Sequence, residues 1–221
     1  MGKRFKAVIF DCDGVLVDSE PISARTLVQA LGAFGLEIDV AYVHANYLGR
    51  SFESIEADYA RRMGAKLPDH FLAHWQDAMF AAFRRELQPI PGIREVIASL
   101  EAPSAVVSSS KPERLALCLA VTDLARYFDG RIFSASMVAR GKPAPDLFLL
   151  AAARLECEPR HVLAIEDSAP GVVAARAAGM TVWGFTGGGH LADQRDGAAL
   201  LDAGAERVFD DMRRFDARYP P

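Results

Sequence analysis

Residues 7–18 read Ala-Val-Ile-Phe-Asp-Cys-Asp-Gly-Val-Leu-Val-Asp, and this stretch decides the fold prediction. An apolar run of β-branched and aromatic residues ends abruptly at Asp11 and Asp13, and Gly14 follows at once. Such a run, bounded by a turn signal, predicts a buried parallel strand. Open α/β sheets bind ligands at the carboxyl ends of their strands, so both carboxylates are expected at a ligand-binding edge. Taken alone, the pattern is equally typical of a strand followed by an Asp-Gly turn.

The composition limits the classes of function. The chain has 221 residues, of which 51% are hydrophobic, enough for one large domain or a core domain plus a smaller one. Its net charge of -4 and the lack of a basic patch argue against nucleic acid as a partner. No apolar run approaches the roughly 20 residues that cross a bilayer, so no membrane association is expected. Three widely separated cysteines and the lack of a signal-peptide cleavage region predict a cytoplasmic protein.

Helical periodicity dominates residues 18–88. Apolar residues recur at helical spacing in three stretches, two of which stop at Gly35 and Gly64. Residues 89–92, Pro-Ile-Pro-Gly, predict a turn or loop at the end of this region. We therefore predict a helical domain over residues 18–88, inserted into a catalytic core made of residues 1–17 and 89–221. The three apolar stripes contain Ala24, Leu27, Val28, Leu31 and Phe34; Phe52, Ile55, Tyr59 and Met63; and Leu72, Trp75, Met79, Phe83 and Leu87.

After residue 92, short apolar runs alternate with helical patterns. This alternation predicts an α/β fold with a doubly wound parallel sheet, covered by helices on both faces. The predicted strands after the first are residues 105–107, 131–133, 162–165, 181–184 and 207–209.

Polar side chains follow three of the predicted strands, and a lysine lies in a loop between two of them. Strand ends of a doubly wound sheet converge on one edge, so these groups are expected to meet there. Two unit charges about 4 Å apart repel by about 4 kcal/mol at an effective dielectric constant near 20, so clustered carboxylates need positive charge. Mg²⁺ prefers carboxylate and phosphate oxygens, and this set therefore suits phosphoryl transfer. The residues are Asp11, Asp13, Ser108, Lys142, Glu166 and Asp167.

In order and in strand context, these residues resemble the four motifs of the haloacid dehalogenase-like hydrolase superfamily. Residues 11–18 resemble its first motif, Ser108 its second, Lys142 its third and residues 166–167 its fourth. The helical insertion resembles the cap of the subgroup that contains phosphoglycolate phosphatases, β-phosphoglucomutases and small sugar-phosphate phosphatases.

The resemblance implies a role for each motif residue. Asp11 would attack phosphorus and form an aspartyl-phosphate, and Asp13 would be the general acid and then the general base. An aspartate at position 13 also argues against dehalogenation, because true dehalogenases lack an acid/base aspartate there. Lys142 would orient Asp11 and offset its charge. Mg²⁺ would be held by Asp11 and Asp167, by the backbone carbonyl of Asp13 and with support from Glu166, while Ser108, Ser109 and Lys111 would bind phosphate or lie near it.

The substrate is less well specified by the sequence. The resemblance implies that cap residues select the leaving group, and residues 48–51 resemble the substrate-specificity loop. Arg50 either pairs with a carboxylate or second phosphate of the substrate or is a surface arginine. The candidate cap residues are Glu20, Ser23, Tyr47, Arg50 and Ser51.

A phosphosugar mutase is the main alternative to a phosphatase. The histidine that β-phosphoglucomutases carry near the position of Ser23 is absent, and their cap-loop arginine falls at Phe52. We therefore expect a phosphatase acting on a small phosphorylated sugar or sugar acid. A catalytically silent binding or regulatory protein is a third alternative, which the four intact motifs disfavour. Since the cap closes a site within one chain, a monomer or weak dimer suffices.

Overall fold

The structure is a computed structural model that describes residues 5–47, 51–192 and 197–216. By its contacts the chain separates into two compact units. Met1–Asp18 together with Gln88–Pro221 form the first, which we call the sheet unit. Ser19–Leu87 form the second, which we call the helical unit.

The strands that the structure describes form one parallel sheet in the order β3-β2-β1-β4-β5-β6, with β1 in its interior. The predicted α/β class and the parallel sheet are thus confirmed. The strands are β1 Ala7–Phe10, β2 Ser104–Ser108, β3 Ile132–Ser134, β4 Val162–Glu166, β5 Thr181–Phe185 and β6 Arg207–Phe209.

Each pair of consecutive strands is connected through at least one helical segment, as parallel pairing requires. The α-helices of the described chain are α1 Glu20–Ala33, α2 Val40–Asn46, α3 Phe52–Met63, α4 Phe71–Glu86, α5 Ile93–Ser99, α6 Pro112–Val121, α7 Asp146–Arg154, α8 Ala169–Ala177 and α9 Ala198–Asp202. Short 3₁₀ helices cover Ala125–Tyr127, Ala135–Met137, Pro159–His161, Gly189–Leu191 and Met212–Arg214.

The core of the sheet unit lies on both faces of β1, whose residues are all buried. Ala7 and Ile9 belong to a buried cluster that includes residues of α7 and α8. Successive side chains of a strand point to opposite faces, so Phe10 faces the other layer, where its ring centroid lies 6.3 Å from that of Phe215. A strand buried on both faces explains why the first motif begins with an uninterrupted apolar run.

The helical unit has its own buried core, to which α1 and α3 contribute residues of their predicted apolar stripes, whereas α4 contributes chiefly Phe71, which lies outside its predicted stripe. Helix α3 ends at Gly64, whose φ of 68° lies in the left-handed region that favours glycine. Helix α2 has no counterpart among the predicted elements, because only Val43 of its 7 residues is buried and no apolar stripe repeats along it. Its N-terminus is capped by Asp39, whose side chain accepts a hydrogen bond from Tyr42 N at 2.7 Å. No helix of the described chain has the length and apolar character of a membrane span.

Candidate active site

The ammonium group of Lys142 connects three strand ends of the sheet unit. Its Nζ atom lies 2.5 Å from Asp11 Oδ1, 2.5 Å from Glu166 Oε1 and 3.1 Å from the Val107 carbonyl oxygen. The Lys142 side chain is only 4% exposed, and the Glu166 side chain is fully buried. A lysine ammonium has three N–H donors, and the protein supplies three acceptors for them. Lys142 therefore forms direct ion pairs with both Asp11 and Glu166.

The register of the sheet explains this convergence. Phe10 in β1 is paired with Val106 in β2 on one side and with Ile165 in β4 on the other. One residue further along each strand come Asp11, Val107 and Glu166, which are therefore neighbours at the carboxyl edge. Lys142 reaches them from the loop that precedes α7.

Asp167 completes a group of buried carboxylates. One ligand oxygen from each of Asp11, Glu166 and Asp167 can be chosen so that all three lie within 4.8 Å of one another. Three carboxylates and the Lys142 ammonium leave a formal excess of two negative charges. Clustered hard oxygen donors with this excess charge fit a divalent cation such as Mg²⁺.

The pKa shifts of Asp11, Glu166 and Lys142 reflect their burial and the crowding of charged groups. Burial raises the pKa of Asp11 well above its ordinary value; Lys142 opposes this, and nearby carboxylates, foremost Glu166, reinforce it. Burial also raises the pKa of Glu166, again opposed by Lys142 and reinforced by Asp167. Burial alone would lower the pKa of Lys142, but the charges of Asp11 and Glu166 raise it overall. The neighbouring carboxylates thus favour the charged form of Lys142.

Two glycines leave room for the carboxylates. A side chain on Gly171, in the first turn of α8, would overlap the carboxyl group of Glu166. A side chain on Gly14 would overlap the carboxylate of Asp167, and Gly14 also has a φ of 79°, which favours glycine. Gly14, within the first motif, therefore makes room for the site as well as forming the turn.

Asp13 has partners of its own, which the sequence did not predict. Ser110 Oγ donates to Asp13 Oδ2 at 2.6 Å, and Arg114 Nη2 donates to Asp13 Oδ1 at 2.7 Å. Arg114 lies in the first turns of α6, where its spacing from the other motifs carries no recognisable signal. Only the pairing of β1 with β2 brings it to Asp13.

The predicted phosphate-binding residues differ in their surroundings. Ser108, at the end of β2, is buried, and its Oγ accepts a hydrogen bond from Ser110 N at 3.0 Å. Ser109 and Lys111 are exposed on the following turn. Arg50 lies outside the described residues.

Two of the other candidate cap residues have their hydrogen-bonding groups engaged within the helical unit. Ser23 Oγ donates to the Ser19 carbonyl oxygen at 3.0 Å. Tyr47 Oη donates to Asp58 Oδ2 at 2.6 Å. Glu20 begins α1 and Ser51 precedes α3.

Comparisons with known proteins identify the family of this chain. A family model for haloacid dehalogenase-like hydrolases matches residues 5–179. The chain belongs to this family. It is thus an enzyme of a hydrolase family, and its named relatives include phosphatases.

Three similar proteins give the family context. The 6-phosphogluconate phosphatase of Escherichia coli K12 is 30% identical over 188 residues, which cover 85% of each chain. The fructose-1-phosphate phosphatase of the same organism is 33% identical over 183 residues, covering 81% of this haloacid dehalogenase-like chain and 96% of the relative. The crystal structure of a candidate beta-phosphoglucomutase from Thermotoga maritima has a TM-score of 0.79 at 29% identity, covering 94% of this chain and 95% of the other.

Proposed function

We propose that this chain is a Mg²⁺-dependent phosphatase that hydrolyses a small phosphorylated sugar or sugar acid through an aspartyl-phosphate on Asp11. The observation that carries the proposal is the position of Asp11, held at 2.5 Å by a buried Lys142 within a carboxylate cluster suited to a divalent cation. A carboxylate oriented in this way is a nucleophile that can form a covalent phosphoenzyme.

Asp11, Glu166 and Asp167 are the side chains that would hold Mg²⁺, together with the Asp13 carbonyl. When bound, Mg²⁺ would offset the negative charge of the substrate phosphate beside these carboxylates. The proposal draws its support from the excess negative charge of the buried carboxylate cluster.

In the first step, an Asp11 carboxylate oxygen attacks phosphorus, and the bond between phosphorus and the leaving oxygen breaks. Asp13 donates a proton to that oxygen, so that the product leaves as an alcohol. In the second step a water molecule gives its proton to Asp13 and attacks phosphorus. The bond between phosphorus and Asp11 breaks, which releases inorganic phosphate and restores both carboxyl groups.

Lys142 and Ser108 assist both reaction steps without donating or accepting a proton. Lys142 fixes the position of Asp11 and reduces its repulsion from the incoming phosphate. Ser108 lies at the end of β2, next to β1, and its hydroxyl group, which accepts from Ser110 N, can still donate to a phosphate oxygen. Fixed donors and charges of this kind lower the barrier chiefly by positioning and by stabilising developing charge.

The substrate class rests on the relatives, whose names include 6-phosphogluconate phosphatase and fructose-1-phosphate phosphatase. We propose that the helical unit is the cap that selects the leaving group, with Arg50 as the candidate for a substrate carboxylate or second phosphate. We expect the native protein to be cytoplasmic and to be a monomer or weak dimer.

A mutase is the second candidate, because of the similarity to the candidate beta-phosphoglucomutase structure. It would transfer the phosphoryl group from Asp11 to a sugar hydroxyl instead of water. The absence of a histidine near Ser23 favours the phosphatase.

The test is phosphate release in the presence of Mg²⁺ across a panel of phosphorylated metabolites. The panel contains 6-phosphogluconate, fructose 1-phosphate, pentose phosphates, phosphoglycolate and β-glucose 1-phosphate. Mg²⁺-dependent release from a sugar or sugar-acid phosphate supports the proposal. Conversion of β-glucose 1-phosphate to glucose 6-phosphate with a bisphosphate primer, without net release, establishes the mutase instead.

A further inference from the structure

His190 contacts the carboxylate cluster from a loop that the four motifs do not include. Its Nε2 atom lies 3.2 Å from Asp167 Oδ2. The side chains of His190 and Asp167 are only 4% and 7% exposed. The imidazole therefore meets one defined oxygen of a buried carboxylate and is shielded from solvent.

The space for this ring is made by glycines on two different loops. A side chain on Gly14 would lie 2.7 Å from His190 Cε1, and a side chain on Gly188 would lie 2.9 Å from the same atom. Distances below 3.0 Å are closer than real side chains approach, so the ring fits only because both positions are glycine. Within the sequence Gly187-Gly188-Gly189-His190, Gly188 therefore leaves room for the histidine ring.

The loop that carries His190 is also held by a side chain of the first motif. Asp18 Oδ1 accepts a hydrogen bond from Gly189 N at 2.9 Å. Residues Gly189–Leu191 form a 3₁₀ turn, in which Leu191 N donates to the Gly188 carbonyl oxygen at 3.1 Å. The backbone that carries the imidazole is therefore fixed by its own turn and by Asp18, the residue that ends the first motif.

We propose that His190 is a positioning residue that orients the Asp167 carboxylate for the divalent cation. This inference rests on the proposed function, since it concerns the same cation site. A carboxylate on a single Cβ–Cγ bond can rotate, and contact of one oxygen with His190 removes that freedom. Residues that orient metal ligands in this way typically change metal affinity by about 10- to 100-fold when they are replaced.

The experiment measures Mg²⁺ binding to the metal-free full-length protein by titration calorimetry, independently of turnover. His190→Leu removes the ring nitrogen, whereas His190→Gln retains an N–H donor at a similar distance from the backbone. We expect His190→Leu to weaken Mg²⁺ binding by about 10- to 100-fold, and His190→Gln to recover much of that loss. His161→Leu is the matched control, because His161 lies just before β4, at the opposite end of the strand from Asp167.

Thermal unfolding in excess chelator identifies variants that have lost their fold. If His190→Leu does not fold, Asp18→Ala and Asp18→Asn replace it, because only the asparagine retains an oxygen acceptor for Gly189 N. We then expect weaker Mg²⁺ binding in Asp18→Ala than in Asp18→Asn.

Several results would overturn the positioning role. Wild-type affinity in a folded His190→Leu protein would do so, as would equal losses in the leucine and glutamine variants. In the Asp18 pair, equal affinities would count against it. Parallel assays of the wild type separate the two proposals. If it releases phosphate but His190→Leu binds Mg²⁺ normally, only the positioning role fails. If the affinity falls as expected while no phosphate ester is hydrolysed, the positioning role stands and the proposed function fails.

Discussion

Arg114 holds Asp13 through two nitrogens, with Nη2 at 2.7 Å and Nε at 3.2 Å from the same oxygen, Oδ1. Ser110 donates to the other oxygen at 2.6 Å. Both carboxylate oxygens are thus fixed by residues of the turn after β2 and the start of α6. The geometry assigns the orientation of the proposed acid/base group to Arg114 and Ser110.

Replacing Arg114 with methionine is expected to slow hydrolysis selectively for substrates with poor leaving groups. A sugar alkoxide must be protonated as it leaves, whereas p-nitrophenolate leaves readily without a proton. We expect kcat for a sugar phosphate to fall by about 10- to 100-fold. The fall for p-nitrophenyl phosphate should be much smaller. Steady-state kinetics with both substrates measure this contrast.

The matched control for that experiment is Arg126→Met. Arg126 is an exposed arginine whose Nη2 lies 3.1 Å from the exposed carboxylate of Asp123. It should behave as the wild type with both substrates. An equal loss for both substrates in Arg114→Met would contradict a specific effect on Asp13.

Asp11→Asn is expected to abolish turnover while the fold is retained. The amide is a poor nucleophile, and a loss on the order of 10⁴-fold or more is expected for a residue that forms the covalent intermediate. Asp13→Asn should lose roughly 10²- to 10⁴-fold, the usual contribution of general acid–base catalysis. Phosphate release and circular dichroism test both variants, and normal turnover by a well-folded Asp11→Asn protein would refute the nucleophile assignment.

Gly171→Ala is expected to destabilise the sheet unit by about 1–3 kcal/mol, the usual cost of overpacking a filled core. The added methyl group would overlap the Glu166 carboxyl group and push it away from Lys142. Urea unfolding followed by the fluorescence of Trp183, in a Trp75→Phe background, reports on this unit.

Gly32→Ala provides the comparison. Gly32 also lies within a helix, α1, but a side chain there would meet nothing within 4 Å. This substitution should be neutral or stabilising by up to about 1 kcal/mol, because alanine favours helices. Similar destabilisation by both substitutions would show that backbone effects, and not the Glu166 contact, dominate.

Asp58 is expected to make the stability of the helical unit dependent on pH. Tyr47 and Tyr42 donate to its Oδ2 at 2.6 and 2.9 Å, and it forms ion pairs with Arg61 and Arg62. Burial alone would raise the pKa of Asp58, but these hydrogen bonds and charges lower it overall. We expect Asp58→Asn to cost about 2 kcal/mol at neutral pH, as for hydrogen bonds to a charged group.

The sign of the pH effect follows from the lowered pKa. The contribution of Asp58 is complete above the pKa of an unfolded aspartate, about 3.9, and is lost as the pH falls through the lower pKa of the folded state. The difference in unfolding free energy between the wild type and Asp58→Asn should therefore shrink below about pH 4. Trp75 fluorescence in a Trp183→Phe background can follow it, and a difference that stays constant down to strongly acidic pH would contradict the assignment.

Much of the fold follows from local patterns in the sequence. The apolar run before Asp11 predicted β1, and the helical stripes predicted α1, α3 and α4. These features depend on the spacing of neighbouring residues, which the sequence displays directly. Helix α2 shows no such period, because Val43 is its only buried residue, and its capping residue Asp39 is the signal that marks it.

Some partners of the charged groups could be seen only in the folded chain. The contact of Lys142 with Asp11, across 131 positions of sequence, was expected from the strand ends, whereas that of Arg114 with Asp13, across 101, was not. His190 approaches Asp167 only because Gly14 and Gly188 leave space for its ring. The strand ends that carry the carboxylates could be read from the sequence alone, since local hydrophobic patterning defines a strand. Sheet register and side-chain packing determined their partners, because these arise from contacts between distant segments that no local pattern records.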